Sequence, residues 1–584
     1  MVTTMSTRAG AKPAQRASVW SLLRVPVTRR WRIALALILV AGATLRLWLL
    51  YRGLPTLDSD EAVVGLMALH LRHGEWSVFF WGQSYMGSLE ATLVAPFLWI
   101  FGSSALTLRL APLLVGLAAI TALASLTARL YSPRAALLAA GLLALGPPYF
   151  VVLGIRAYGG YVETLLFGVL LLLLALRGAT PEGRSTSTAG LLGLLAGIAI
   201  WTNLLVAPFL LAVAAICWWQ RRRDLLGRRG LILLGCLLLG AAPAILYNAL
   251  NGAATLTTTL GITALGTHTA GTVESPMSVF LDHLWLELTT SLPIVVGGFL
   301  GGYQSAGYTV SEYMAAAAAM PITYAINLLL ALGALALLIP LMVRTVSGWR
   351  GLRAPVSSHD DPEAARTLLR RQGEAALVIV VVCYLAAMSL TRQRDLFAIP
   401  RYLFRIFAGV PVIANQLLAS ARWSRVHLPI ALQIWARPLA PVALLALLGW
   451  NLAGIAAVTP RNTAARDHGV WIAGDDTVLL QVLQAHGVRT VICNDYWVGL
   501  RLTFESGETV ITVLVRPGGH PGFNRYQPYV ARGLADPRPA YVELNGTPEA
   551  ALATARMGAG ELAGYQLTVV GVYTVLIPSL SGTG

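Results

Sequence analysis

The run Leu57-Asp58-Ser59-Asp60-Glu61-Ala62 sets three carboxylates within four residues, directly after the first apolar segment. The chain is 56% hydrophobic and only 12% charged, so acids crowded beside a membrane segment are costly to keep. A carboxylate there can serve as a general base toward an attacking hydroxyl, and an acidic neighbour can orient it. Asp60 is the candidate base and Glu61 its partner, and the pair could also hold a divalent cation. Helix capping accounts for one acid only: Asp58 or Ser59 suits the N-cap of a helix starting near Glu61.

A second carboxylate, Glu163, opens a later apolar run after Gly159-Gly160-Tyr161-Val162. It is a candidate catalytic group lining a cavity, or else a carboxylate favoured by a helix dipole. Among the cations, Lys12 is the sole lysine, which excludes Schiff-base chemistry outside the N-terminal tail. Arginine must then hold any anionic group, and its planar fork suits phosphate. Arg392, Arg394, Arg401 and Arg405 fall between two apolar runs on what reads as the outer face, against the positive-inside pattern. Arg394, Arg401 with Tyr402, and Arg156 with Tyr158 on another outer loop are the candidates for substrate binding; snorkelling to headgroups is the plainer role. His70, His73, His268 and His283 match no metal spacing and read as surface or interfacial residues. The four cysteines suggest neither a disulfide framework nor a metal site.

These residues need a membrane scaffold. A mean hydropathy of +0.67 over 584 residues describes a polytopic α-helical membrane protein, and the net charge of +16 is arginine flanking apolar runs rather than a nucleic-acid footprint. Residues 1–32 read as a basic cytoplasmic tail, 33–458 as the transmembrane domain and 459–584 as a soluble domain. The charge pattern predicts about eleven spans: near 33–51, 105–128, 135–155 and 161–177, two within 189–219, then 230–250, 321–343, 374–391, 402–420 and 438–458. The N-terminus is then cytoplasmic and the C-terminal domain extracytoplasmic. External loops cover 52–104 and 251–320, the second long enough to act as a lid. Segment 89–101 is short and contains Pro96, so it reads as interfacial or re-entrant. Helical and strand-like runs alternate through 459–584, which predicts a small α/β domain with no nucleotide fingerprint.

Taken together, the motifs resemble the GT-C superfamily of polytopic glycosyltransferases, in the bacterial branch related to protein O-mannosyltransferases and aminoarabinose transferases. The likeness covers about 33–458. It rests on the order Asp60-Glu61-Ala62, Gly82-Gln83-Ser84-Tyr85-Met86-Gly87-Ser88-Leu89-Glu90, Phe101-Gly102, Leu108-Arg109-Leu110, Gly159-Gly160-Tyr161-Val162-Glu163 and Pro400-Arg401-Tyr402-Leu403. The resemblance implies an enzyme of a bacterial-type inner membrane that takes a sugar from a polyprenyl-phosphate or diphosphate carrier and gives it to a glycan, lipid or protein acceptor. It implies Asp60 as base, Glu61 as partner, Glu163 as second cavity carboxylate, Arg401 near the carrier phosphate, and inversion by a single displacement. Many relatives carry a basic, proline-containing motif where this chain has Met86-Gly87-Ser88-Leu89-Glu90; an arginine, Arg156 or Arg401, would replace its lysine. The competing class is a transporter or flippase of lipid-linked sugars. It too needs charges within a membrane cavity, but the chain shows no internal repeat of apolar segments.

Overall fold

A computed structural model of the chain describes residues 28–179, 183, 185–221, 226–265, 275–298, 308–353, 362–391, 394–427, 430–467, 469–472, 475–516 and 519–579. Most of the basic tail, Arg184, Arg222, Arg223, His268 and Arg392 lie outside the described residues. The protein is a multi-pass helical membrane protein with a small sheet domain after its last long helix.

Among the described residues, seven helices are long and apolar enough to span, or eight if the pair Arg228–Gly240 and Ala242–Leu250, bent by 62°, counts as one. The span expected at 438–458 lies in the longer helix Ile430–Ala456, whereas those expected at 135–155 and within 189–219 appear as shorter apolar helices. Their breaks have local causes. Pro147 and Pro148 stop Pro133–Ala144 from continuing, because proline lacks the N–H and clashes with the preceding turn. Asn203, extended at the end of Thr186–Thr202, turns its side chain to accept from the backbone N–H of Leu205. The first helix, Arg29–Tyr51, is joined to the broken end by a buried arginine: Arg46 donates to the carbonyls of Ala144 (2.8 Å) and Leu143 (3.2 Å). These are helix C-terminal carbonyls with no intrahelical partner.

Within the stretch 251–320, the sequence shows an amphipathic piece near 279–302 with His283, Trp285 and Glu287, and the structure has a helix there. Met277–Val296 is apolar and long enough to span, with a π turn at Glu287–Ser291. Its polar residues are neutralised locally: His283 and Glu287 bond the carbonyl and hydroxyl of Ser389, and Asp282 pairs with Arg394. Val310, after this helix, bonds Asp395. Residues 282 and 310 therefore meet adjacent positions, 394 and 395, toward one end of the bundle.

The same end carries the C-terminal domain. Its strands are β1 (Thr490–Cys493), β2 (Ile511–Leu514), β3 (Ala540–Leu544), β4 (Tyr565–Val570) and β5 (Tyr573–Pro578). They form one sheet in the order β2-β1-β3-β5-β4, with β1 parallel to both β2 and β3 and the last two strands antiparallel. The strand-like run at 567–577 proves to be the two arms of a hairpin turning at Gly571, whose φ of +58° favours glycine. Helix Tyr496–Glu505 packs this domain onto the short helix Ser59–His70, which in turn lies on Leu89–Phe101. At their crossing Gly65 is indispensable as a gap: a Cβ there would stand 2.3 Å from the Phe504 ring.

Candidate active site

The three acids of the first loop have three different environments. Asp58 is the N-cap, its Oδ1 accepting from the N–H of Glu61 at 3.0 Å. Its Oδ2 accepts from Arg156 (3.1 Å) and the Tyr158 hydroxyl, and burial raises its pKa to about 6. Glu61 is fully buried. Arg109 grips both its oxygens (2.9 and 2.6 Å), Arg156 adds a third contact (2.9 Å), and the N–H of Ala157 a fourth. Burial works against its ionisation, but the two guanidiniums outweigh it and hold the pKa below the ordinary value.

Two of the expected site residues are engaged within the protein. Glu61 holds the loop together through Arg109, Arg156 and the N–H of Ala157. Arg156 is likewise fully buried, and its two terminal nitrogens also donate to the carbonyls of Thr56 (3.0 Å) and Thr463 (2.7 Å). It meets the carboxylates of Asp58 and Glu61 and ties the first loop to the start of the C-terminal domain. Tyr158 is buried between this cluster and Arg401, which lies 5.8 Å from its ring centroid.

Asp60 is the acid that the structure brings to a partly open place, its side chain retaining 14% exposure. Arg401 Nη1 approaches Oδ2 at 3.1 Å. On the other side, the Tyr496 hydroxyl donates to Oδ1 at 2.8 Å and Arg525 Nη2 lies 3.3 Å from the same oxygen. Burial raises the Asp60 pKa, but Arg401 and Arg525 more than offset it, leaving the carboxyl below its ordinary value. Guanidiniums thus stand on both oxygens of Asp60 and of Glu61, and among the described residues no group of three or more metal-ligating side chains occurs.

Arg401 opens the 3-10 helix Arg401–Gly409, with Tyr402 beside it and tilted against Tyr161 at 6.2 Å. Farther along, Ile406, Phe407 and Gly409 line an apolar cavity of about 440 Å³ between helices, walled by Leu292, Val295, Leu338 and Val381. Leu329 on its rim is exposed, so the cavity opens on the side where lipid would lie.

Glu163 is not brought into contact with Asp60. It is buried in the first turn of Tyr161–Gly178, and among the described residues neither oxygen has a hydrogen-bond partner. Arg405, also buried and without such a partner, lies over the Tyr161 ring at 4.3 Å. Arg394 stands outside the site, exposed and paired with Asp282.

Sequence reasoning assigned no role to Tyr496, Arg525, Gln83 or Glu90. Glu90 accepts from the N–H groups of Gly159 and Gly160, both at positive φ, and so fixes the entry to the Glu163 helix. The Gly82–Glu90 motif carried a signal for Gln83 and Glu90; Arg525 carried none, because its partner is 465 residues away.

The structure aligns along nearly its whole length with that of ArnT from Cupriavidus metallidurans bound to undecaprenyl phosphate, with 96% of this chain and 100% of that chain covered, a TM-score of 0.51 and 14% identity. The fold is GT-C. ArnT in the apo state aligns similarly, covering 93% and 97% at a TM-score of 0.52 and 13% identity. AglB, the oligosaccharyltransferase of Archaeoglobus fulgidus, gives 0.47 at 14% identity over 94% and 74%, a likeness too loose to build on. Residues 89–247 of the GT-C body match the family of dolichyl-phosphate-mannose-protein mannosyltransferases. No curated protein matches the chain.

Proposed function

We propose that the protein is a glycosyltransferase that moves a sugar from a polyprenyl-phosphate carrier to an acceptor hydroxyl on the extracytoplasmic face of the membrane. One observation carries this reading. The 3-10 helix Arg401–Gly409 has Arg401 on Asp60 at one end and an apolar cavity open to lipid at the other. At about 2 Å of rise per residue, the two features lie on the order of 10–15 Å apart. That arrangement suits a ligand with an anionic head and a long apolar tail. ArnT, of the same fold, is described as bound to undecaprenyl phosphate, and the matched family acts with a dolichyl-phosphate sugar.

In the reaction, Asp60 takes the acceptor hydroxyl proton as that oxygen attacks the anomeric carbon. The bond from that carbon to the phosphate oxygen breaks in the same step, and its electron pair leaves on the phosphate. Arg401 stabilises the departing charge. A single displacement inverts the sugar carbon. Glu163 and Glu61 take no direct part in this scheme: Glu61 is saturated by arginines, and Glu163 is buried in the first turn of another helix.

The test is transfer itself. Purified protein in vesicles is given polyprenyl-phosphate carriers bearing different radiolabelled sugars, together with a membrane extract as acceptor source. Label leaving at least one carrier, with inverted configuration in the product, supports the reading. Carriers that keep their sugar but cross the vesicle bilayer would replace it with transport.

A further inference from the structure

We infer that the C-terminal domain is part of the site: Arg525, with Tyr496, is a positioning residue that orients Asp60 and sets the pH at which it carries a proton. This rests on the reading of Asp60 as the base.

The two oxygens of Asp60 are held by two different parts of the chain. Arg401, from the membrane domain, takes Oδ2, whereas Tyr496 and Arg525, from the sheet domain, take Oδ1. Arg525 Nε also donates to the Tyr496 hydroxyl at 2.9 Å, so the tyrosine passes its own proton toward Asp60 and accepts from arginine behind it. The guanidinium is fixed. It has 3% side-chain exposure, lies 4.3 Å from the Phe523 ring centroid and 5.4 Å from that of Phe80, and faces Gln83, whose amide oxygen, when turned toward it, lies 2.9 and 3.1 Å from its two terminal nitrogens. Gly82, at φ +71°, turns the first-loop hairpin of Phe79–Phe80 and Gln83–Gly87 close to Arg525: a Cβ there would stand 3.3 Å from its Cδ.

The charged and titratable groups facing Asp60 are thus Arg401, Arg525, Tyr496, Tyr85 on the hairpin, and Asp58 on its own helix. The two cations hold the proton off; burial and Asp58 press it on. An opposite charge at this range lowers a carboxyl pKa by roughly 1–3 units, so losing one of two should move Asp60 up by about a unit or more. An arm that only glued the domains together would change protein yield or total activity, not the titration of one carboxylate.

Dicyclohexylcarbodiimide adds to protonated carboxyl groups, and mass spectrometry locates the adduct, so the pH dependence of labelling at Asp60 reads its protonation without any substrate. The full-length protein is compared with Arg525→Gln, Arg525→Lys and Tyr496→Phe, each checked for a cooperative thermal transition. The expected result is a labelling midpoint raised by about one unit or more in Arg525→Gln, raised less in Tyr496→Phe, and returned toward wild type in Arg525→Lys. Where transfer is measurable, the acidic limb of its pH profile should move by the same amount. Midpoints that coincide in wild type, Arg525→Gln and Tyr496→Phe would overturn the inference; if Arg525→Gln does not fold, Tyr496→Phe and Arg525→Lys decide. A wild type that transfers sugar from no carrier would defeat the proposed function, and labelling alone would still decide this inference.

Discussion

At the scale of single residues, three neighbouring carboxylates are put to separate uses by their partners. Asp58 caps a helix, Glu61 neutralises two buried arginines, and Asp60 meets one arginine from each domain. Removing one member of a buried ion cluster leaves the other charges unpaired, at a cost of about 3–5 kcal/mol. Glu61→Gln should therefore lower the thermal midpoint in detergent sharply, with any loss of transfer following loss of folded protein. A Glu61→Gln protein with the wild-type midpoint and no transfer would instead give Glu61 a chemical role. The cluster itself was legible, because three acids in four residues beside an apolar run demand an explanation. The division of labour was only partly so. Asp58 as cap follows from local spacing. Glu61 as structural anion depends on Arg109 and Arg156, which approach from 48 and 95 residues away, and on burial that no local pattern encodes.

At the scale of elements, helix Ser59–His70 is the platform that presents Asp60, and two contacts clamp the C-terminal domain onto it. One is steric. Gly65→Val would drive a side chain into Phe504, and overpacking of this kind costs typically about 1–3 kcal/mol. We expect faster proteolysis at the junction near residue 465, with Phe504→Ala restoring resistance in the double variant; no rescue would mean that the two do not meet. The other contact is ionic. His70 Nδ1 lies 2.7 Å from Glu75, and Nε2 lies 2.9 Å from Glu508 of the sheet domain. Burial lowers the His70 pKa, but hydrogen bonds to Glu508 and Glu75 outweigh it and raise it above the ordinary 6.5. The folded state then binds the proton more tightly than the unfolded state. The stabilisation is complete below pH 6.5 and fades as pH rises through the folded-state value. The thermal midpoint should fall across that window in the wild type and lose this component in His70→Gln; an unchanged slope in the variant would remove His70 as its source. The pattern of 89–101, a short helix with Pro96, could be read from the sequence. The helix Met277–Val296 was legible only as an amphipathic piece near 279–302; that it is apolar enough to span was not, since Asp282, His283 and Glu287 count against it until Arg394 and Ser389 are seen to satisfy them.

At the scale of the whole molecule, the apolar runs and the alternation in 459–584 announced the two-part architecture, and the GT-C resemblance agrees with the fold. What remained hidden was that the parts interlock: Thr56 bonds Thr463, Arg156 bonds the carbonyl of Thr463, and Arg525 reaches Asp60, all contacts of 300 residues or more in separation. We propose, from the arginines of the turn after Pro321–Ser347, that this turn is cytoplasmic and the sheet domain lies on the other side. In a background with all four cysteines replaced, a cysteine at exposed Ala551 should react with an impermeant maleimide in intact cells, and one at exposed Gly351 only after permeabilisation. The reverse pattern would turn the molecule over. Transfer from a lipid carrier by this route turns on Asp60 as the base. Its most direct measurement compares wild-type and Asp60→Asn protein, at equal folded amounts, for release of radiolabelled sugar from polyprenyl phosphate. The account predicts release by the wild type and a rate lower by about 10²–10⁴-fold in Asp60→Asn, with the carrier still bound; equal release by the two proteins would contradict it.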